Sequence, residues 1–376
     1  MQDIHALLKL MSDKGASELF LTVGAPPHMR IGGDTQPADE RGLAGGDVKT
    51  MAYAIMTPQQ ASDFETTKEC NFALSIDGVG RFRVNVYYQR GEVAMVVRLT
   101  KSRLPTFEQL GVPVQAAELS MLRRGLVLVV GGPGSGKSAT LAAMVSHRSA
   151  NAGGHILTIE DPIEFLFPHR KALVDQREVG IDTQSFSDAL HNAMRESPDV
   201  VVIGEIRDRE SAQHAIAYAE AGHLCIATLI ANGADQAIER FVSLFPEDAH
   251  KQALWDLSLN LKGVIAQRLL RSMDGNRALA AEILLSTPYV AELIEKGNLR
   301  ELRDVMADST TLGMTTFDQA LFELFMAHRI TYDEAIRHAD SHTDLALKLR
   351  LSRHHATDEA PAFSFDSADT SSGHAS

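Results

Sequence analysis

Cysteine is nearly absent from this sequence: Cys70 and Cys225 are the only two in 376 residues, too few for a disulfide framework or a four-thiolate zinc site. Cys225 falls in the apolar run Leu224 to Leu229 and is expected as a buried core thiol. Positive charge is also scarce. Lys and Arg number 36 against 49 Asp and Glu, a formal net charge of −13, which argues against a protein that coats DNA or anionic lipid, since both require a basic footprint. No run approaches the roughly 20 apolar residues of a membrane span. Residues 1–15 interleave Asp3, Lys9, Asp13 and Lys14 with apolar positions, so no secretory apolar segment opens the chain. These absences predict a cytoplasmic protein with no nucleic-acid partner and no membrane insertion. What remains is ordinary globular composition, 44% hydrophobic and 23% charged, at a length that suits two or three domains.

The first part reads as a mixed α+β unit. Ile4, Leu7, Leu8 and Met11 recur at helical spacing, and Leu19 to Val23 and His28 to Ile31 read as short strands. In Arg81 to Tyr88, Phe82, Val84, Val86 and Tyr88 alternate with Arg81, Arg83, Asn85 and Tyr87. With Val93 to Leu99 after a turn at Gly91, this predicts an antiparallel hairpin, one face in a core and one arginine-bearing face outside. The stretch from Thr100 to Val114, with Pro105, Gly111 and Pro113, is the expected linker, placed at 105–114 between a domain over 1–104 and a second over 115–353. From Leu126 onward apolar strands alternate with helical segments: Leu126 to Val130, a helix near Ala139 to Ser149, His155 to Glu160, Val200 to Ile203, a helix at Glu210 to Ala221, and Leu224 to Leu229. That order predicts an α/β domain with a parallel sheet covered on both faces. Residues 247–350 read as helices, with capping boxes at Thr316 to Gln319 and Thr331 to Glu334 and an apolar stripe of Phe317, Leu321, Leu324 and Phe325. The polar segment 354–376 reads as a disordered tail.

Gly131, Gly132, Pro133, Gly134, Ser135, Gly136, Lys137 and Ser138 form a phosphate-loop pattern, and Ala139 continues into the helix behind it. The context, after an apolar strand and before a helix, is the one the chemistry requires. Glycines let successive backbone amides turn inward on a phosphate, and the helix N-terminus adds its dipole. Lys137 then reaches the β- and γ-phosphates and Ser138 takes Mg²⁺, so ATP and Mg are the expected cofactors. Glu205 ends the apolar run that starts at Val200 and is the candidate base for the attacking water. Glu160, Asp161 and Glu164 end another strand. Asp161 before Pro162 has the form of a helix N-cap followed by proline at the first helical position and is read as structural. Glu160 is assigned with Ser138 to the metal shell, and Glu164 to the water as the second catalytic candidate. His223, after Gly222, is either a hydrogen-bonded core histidine or a phosphate sensor.

Taken together, the phosphate loop, Thr158-Ile-Glu-Asp-Pro-Ile-Glu164, Gly204-Glu-Ile-Arg-Asp208 and Gly222-His-Leu224, in that order, resemble the secretion-type ATPases of bacterial pili. Arg81-Phe-Arg-Val-Asn85 and Gly313-Met-Thr-Thr-Phe-Asp-Gln-Ala-Leu321 extend the resemblance over nearly everything but the tail. Within that family the sequence is similar to the retraction ATPases of the PilT and PilU kind, and leans to PilU through Ala231-Asn-Gly-Ala-Asp-Gln-Ala-Ile-Glu-Arg240. The resemblance implies a PAS-like N-terminal domain, a RecA-like ATPase domain with C-terminal helices, and a hexameric ring. It places that ring at the base of a type IV pilus, on the inner face of the inner membrane against a platform protein, where it supports retraction and twitching motility. It also implies that nucleotide lies between the domains, with Arg83 and Arg98 as candidates to approach the phosphates. Two departures stand out. Ile230 occupies the place of the family's second His-box histidine, and Tyr289-Val-Ala-Glu-Leu-Ile-Glu-Lys296 lacks the two arginines of the family's Ala-Ile-Arg-Asn-Leu-Ile-Arg-Glu segment. They imply an accessory ATPase beside a PilT-like companion, with a weakly catalytic nucleotide-binding adaptor as the rival reading. A DNA motor would need a basic pore or an aromatic stacking platform, for which the charge balance leaves little room, and the extension and type II secretion ATPases carry a tetracysteine module that two cysteines do not make.

Overall fold

A computed structural model describes residues 3–100 and 103–357. The first six strands, β1 (Glu18–Leu21), β2 (His28–Ile31), β3 (Asp34–Pro37), β4 (Glu69–Ile76), β5 (Gly80–Gln89) and β6 (Glu92–Leu99), form one antiparallel sheet in the order β3-β2-β1-β6-β5-β4. Helices α1 (Ile4–Asp13), α2 (Asp47–Ile55) and α3 (Pro58–Thr67) belong to the same unit. The α1 positions at helical spacing, Ile4, Leu7, Leu8 and Met11, are buried with Phe64, Phe82, Val84 and Val86. Between β5 and β6 the turn residues Arg90 and Gly91 have φ of 51° and 80°, the double positive φ that matches the twist of a two-residue hairpin.

The opposite face of that hairpin is not simply solvated. Arg81 and Arg83 lie 3.7 and 3.8 Å from the carboxylate of Glu178, which belongs to the second sheet. Nor does the expected linker run free. A short helix α4 (Phe107–Leu110), started by a Thr106 and Gln109 capping box, seats Phe107, Leu110 and Val112 against the second domain's core.

The second sheet has seven strands: β7 (Gly125–Gly131), β8 (Gly154–Glu160), β9 (Ala172–Glu178), β10 (Val200–Ile203), β11 (Leu224–Leu229), β12 (Leu261–Arg271) and β13 (Arg277–Leu285). Their order is β13-β12-β7-β11-β10-β8-β9, parallel except for β13. Every residue of β7 is buried. Val127 and Val129 face one core, with α5 (Val114–Ser120) and α6 (Lys137–Asn151); Leu126, Leu128 and Val130 face the other. That second core also takes in residues of α7 (Phe186–Ala193), α8 (Arg209–Glu220), α9 (Ala234–Val242), α10 (His250–Asn260), α11 (Pro288–Lys296) and α12 (Leu302–Asp308). The α/β expectation therefore holds, with Cys225 fully buried as a free thiol whose ionisation burial pushes upward.

Three expectations need correction. Residues 247–350 are not all helical, because β12 and β13 pair as a long hairpin and β12 also pairs with β7; their apolar runs are buried by the sheet itself, and such a run does not distinguish strand from helix. At Thr331 only half of a capping box forms: the Thr331 hydroxyl accepts from Glu334 N–H, while the Glu334 carboxylate accepts from Arg271 N–H instead, at 2.9 Å. Chain end and tail differ too. After α13 (Phe317–Met326) and α14 (Tyr332–His338), α15 (His342–Thr357) runs through the first residues expected to be disordered; the remainder of that tail, 358–376, lies outside the described residues. Among the described residues no helix is long and apolar enough to cross a membrane.

A half-buried polar cluster ties β12 to these last helices. The Arg268 guanidinium donates to Asn232 O, His338 O and Asp340 Oδ1 at 3.0, 2.6 and 2.7 Å and lies 3.7 Å over the Phe317 ring. Nearby, Glu282 on β13 accepts the N–H of Ala234 at 2.7 Å. Its burial, with Asp340 and Asp235 close by, pushes its ionisation from 4.5 up to about 7, against the N–H of Ala234 and the charge of Arg303. A carboxyl raised in the folded state stabilises the fold most below its unfolded value and loses that contribution as pH rises through its folded one. Thermal unfolding scans should therefore show the melting temperature falling between about pH 5 and pH 8, and Glu282→Gln, which keeps an acceptor for Ala234 N–H, should flatten that fall. An unchanged slope in the variant would disprove the assignment.

Candidate active site

The phosphate loop leaves the carboxyl end of β7, and its shape follows from its glycines. Gly131, Gly134 and Gly136 have φ of 156°, 74° and 91°, the last two in the left-handed region that side chains avoid. A Cβ at Gly131 would stand 2.3 Å from Ser135 Oγ and 2.7 Å from Gln267 O, so only glycine fits. Pro133 lies in the turn between Gly132 and Gly134, and Ala139 follows in α6. At the start of α6 the N-cap is Gly136, which offers no side-chain acceptor, so the first amides of a 15-residue helix face outward with their dipole, the arrangement that favours an anion.

Lys137 and Ser138 open that helix. Lys137 Nζ donates to Gly131 O at 2.9 Å and Gly132 O at 3.0 Å, leaving one of its three N–H donors. Its burial lowers the ammonium's proton affinity, opposed by the charges of Glu205 and Glu164. Ser138 Oγ donates to Glu164 Oε1 at 2.9 Å. Glu160, Glu164 and Glu205 line one cleft with Lys137, Ser138 and Arg207, so the structure brings together all three expected carboxylates.

They are not equivalent. Glu160 is half-buried and accepts from Thr158 Oγ1 at 2.7 Å and Gln176 Nε2 at 3.0 Å; desolvation raises its ionisation against those two bonds. Glu205 follows Gly204 past the end of β10 and is engaged by Arg207 Nε, while a second nitrogen of Arg207 reaches Asp161 Oδ2 at 3.2 Å. No helix starts at Asp161. The segment to β9 is held instead by Gln176, which accepts Phe167 N–H and donates to Phe165 O, both at 2.9 Å, so the N-cap reading of Asp161 is corrected to a partner of Arg207.

The remaining expectations are placed elsewhere. His223 precedes β11, and the pairing of Leu224 with Gly125 sets it at the opposite end of the sheet from Gly131. Within one subunit the length of that strand separates it from the phosphate loop, and its side chain is half-buried. Ile230 is the residue at the correct end: Leu229 pairs with Val130, so Ile230 comes level with Gly131, 47% exposed. Arg83 and Arg98 are cross-strand partners that share a separate cavity with Asp161 and Pro162. Arg83 faces Glu178 and Arg98 is held by Glu18 at 2.8 Å, so neither reaches the phosphate loop here. The arginine-free segment Tyr289 to Lys296 forms α11, which buries Val290, Leu293 and Ile294 and leaves Tyr289, Glu292, Glu295 and Lys296 exposed. Sequence reasoning overlooks Arg207, although it stands two residues after Glu205, and Thr140 and Gln267, which give no local signal.

The family model for type II/IV secretion system proteins matches residues 54–329. The type IV pilus ATPase PilU of Pseudomonas aeruginosa is 48% identical over 350 residues, covering 93% of this chain and 92% of that protein. The type IV pilus retraction ATPase PilT of the same organism is 40% identical, covering 89% of this chain and 97% of that protein. Among solved structures, the pilus retraction motor PilT with bound ADP superposes with a TM-score of 0.86 at 39% identity, covering 92% of this chain and all of that one.

Proposed function

The chain belongs to the type II/IV secretion system protein family, and from that premise we propose that it is an ATPase of type IV pilus retraction, working as a PilU-like accessory to a PilT-like motor. The observation that carries the reading is the single cleft in which Lys137, Ser138, Glu164 and Glu205 meet at the mouth of a glycine-shaped phosphate loop. The residues fit a magnesium nucleotide. The remaining donor of Lys137 and the outward amides of α6 suit the β- and γ-phosphates, and Ser138 would hold Mg²⁺, with Glu160 and Glu164 on its rim. Bound Mg²⁺ would supply neutralisation of charge on the transferring phosphoryl group. Glu205 orients water and takes its proton, Arg207 fixes the Glu205 carboxylate, and Glu164 is the alternative base. Arg83 and Arg98 would come to the phosphates only by leaving Glu178 and Glu18.

The same reading takes the molecule as a hexameric ring, a RecA-like ATPase domain carrying a PAS-like domain, docked on the cytoplasmic side of the inner membrane against a platform protein. The accessory role rests on Ile230. A histidine there would offer a hydrogen-bond donor level with the phosphate loop, and a preorganised donor is worth about 10²- to 10³-fold in turnover; isoleucine has none. Steady-state ATPase of the purified chain should be weak alone and rise with its PilT-like companion. Ile230→His should raise solitary turnover at least about tenfold with a smaller change in nucleotide affinity, because the donor favours the transition state. The half-exposed position should accept histidine without loss of melting temperature. Brisk ATPase by the unmodified chain alone would overturn the accessory role.

A further inference from the structure

Four buried side-chain oxygens have no hydrogen-bond partner among the described residues, and two of them, Ser135 Oγ and Gln267 Oε1, stand at the phosphate loop. Buried polar groups are nearly always satisfied, so an unmatched one requires a reason. Gln267 lies on β12 at the register of Gly131 on β7 and is 1% exposed. Its backbone carbonyl crowds one side of Gly131 and Ser135 crowds another. Its side-chain amide donates to Thr140 Oγ1 at 2.7 Å. Thr140, itself 1% exposed, stands in the first turn of α6, directly behind Lys137 and Ser138. An amide in an otherwise apolar layer costs desolvation that a methionine of similar shape would avoid. The group is spent on one contact, and that contact fixes the start of α6 relative to the strand beside the loop.

We propose that Gln267 is a positioning residue for nucleotide binding: by holding Thr140 it sets where the first turn of α6 presents Lys137 and Ser138 to the phosphates. The inference rests on the nucleotide-site reading above. It acts through ground-state geometry, so its main signature is affinity. Gln267→Met and Thr140→Val, both close in shape, each lose the bond, and each should weaken binding of fluorescent ADP and of Mg-ATP about three- to tenfold, the worth of one hydrogen bond. Both single variants leave one buried polar group unmatched, so both should also melt at lower temperature.

The double variant Gln267→Met, Thr140→Val separates positioning from packing. With both polar partners gone, stability should return toward that of the parent, while affinity should stay as low as in the single variants. Recovery of affinity in step with melting temperature would reduce Gln267 to a core residue and overturn the proposal. So would parental affinity in a folded single variant. If Gln267→Met fails to fold, Thr140→Val and the double variant carry the same comparison. Lys137→Ala serves as the control: undiminished nucleotide binding there would refute the site itself, whereas its loss beside a neutral Gln267→Met would refute the positioning role alone.

Discussion

Glu205→Gln should retain nucleotide binding and lose hydrolysis, by about 10²- to 10⁴-fold in kcat, the usual contribution of a positioned general base. The amide keeps the size of the side chain and an oxygen for Arg207, so the loop from Gly204 to Asp208 should hold its course. What it loses is the ability to take a proton from water. Gly204 fixes the approach, since a Cβ there would lie 3.1 Å from Ile159 O and 3.2 Å from Glu160 Cα; the backbone of β10 passes that close to β8, and Glu205 emerges beside Glu160. Single-turnover and binding measurements on the same preparation would separate the two steps. Turnover at the parental rate would shift the role of base to Glu164, which already accepts a hydrogen bond from the Ser138 hydroxyl at 2.9 Å.

Lys137→Ala should weaken Mg-ATP binding by about a hundredfold or more, in line with removal of one partner from a buried, hydrogen-bonded charge pair. The fold should tolerate the change. Lys137 touches two loop carbonyls and no core residue depends on it, whereas a triphosphate would lose the ammonium that the loop itself supplies. Equilibrium titration with labelled nucleotide, next to a melting curve, is the check. Intact affinity in a folded variant would remove the nucleotide site from this cleft altogether.

Much of this site is legible in the chain because its geometry is local. The phosphate loop reads as strand, glycines and helix within about 25 residues, and β10 and β11 announce themselves as short, mostly apolar runs buried on both faces. What is not legible falls where position depends on distant chain. His223 and Ile230 are seven residues apart, yet one sits at each end of β11, and only the register with β7 tells which end faces the loop. Asp161 resembles a helix cap because Asp-Pro is a common one, but Gln176 from β9 satisfies the backbone that a helix would have satisfied. Arg83 carries the right charge on the right hairpin; that Glu178 holds its face is a tertiary fact with no signature in either strand.

The Arg268 cluster has a mechanical meaning. One guanidinium grips the carbonyl of Asn232, two residues beyond Ile230, and on its other side the carbonyl of His338 and the carboxylate of Asp340. Such a joint resists both stretching and shear, because three directed bonds and the stacked face of Phe317 constrain it along different axes. The helices that end the described chain are therefore tied by one side chain to the strand that pairs with β7. Through Arg268 the loop that follows Ile230 shares a side-chain anchor with those helices.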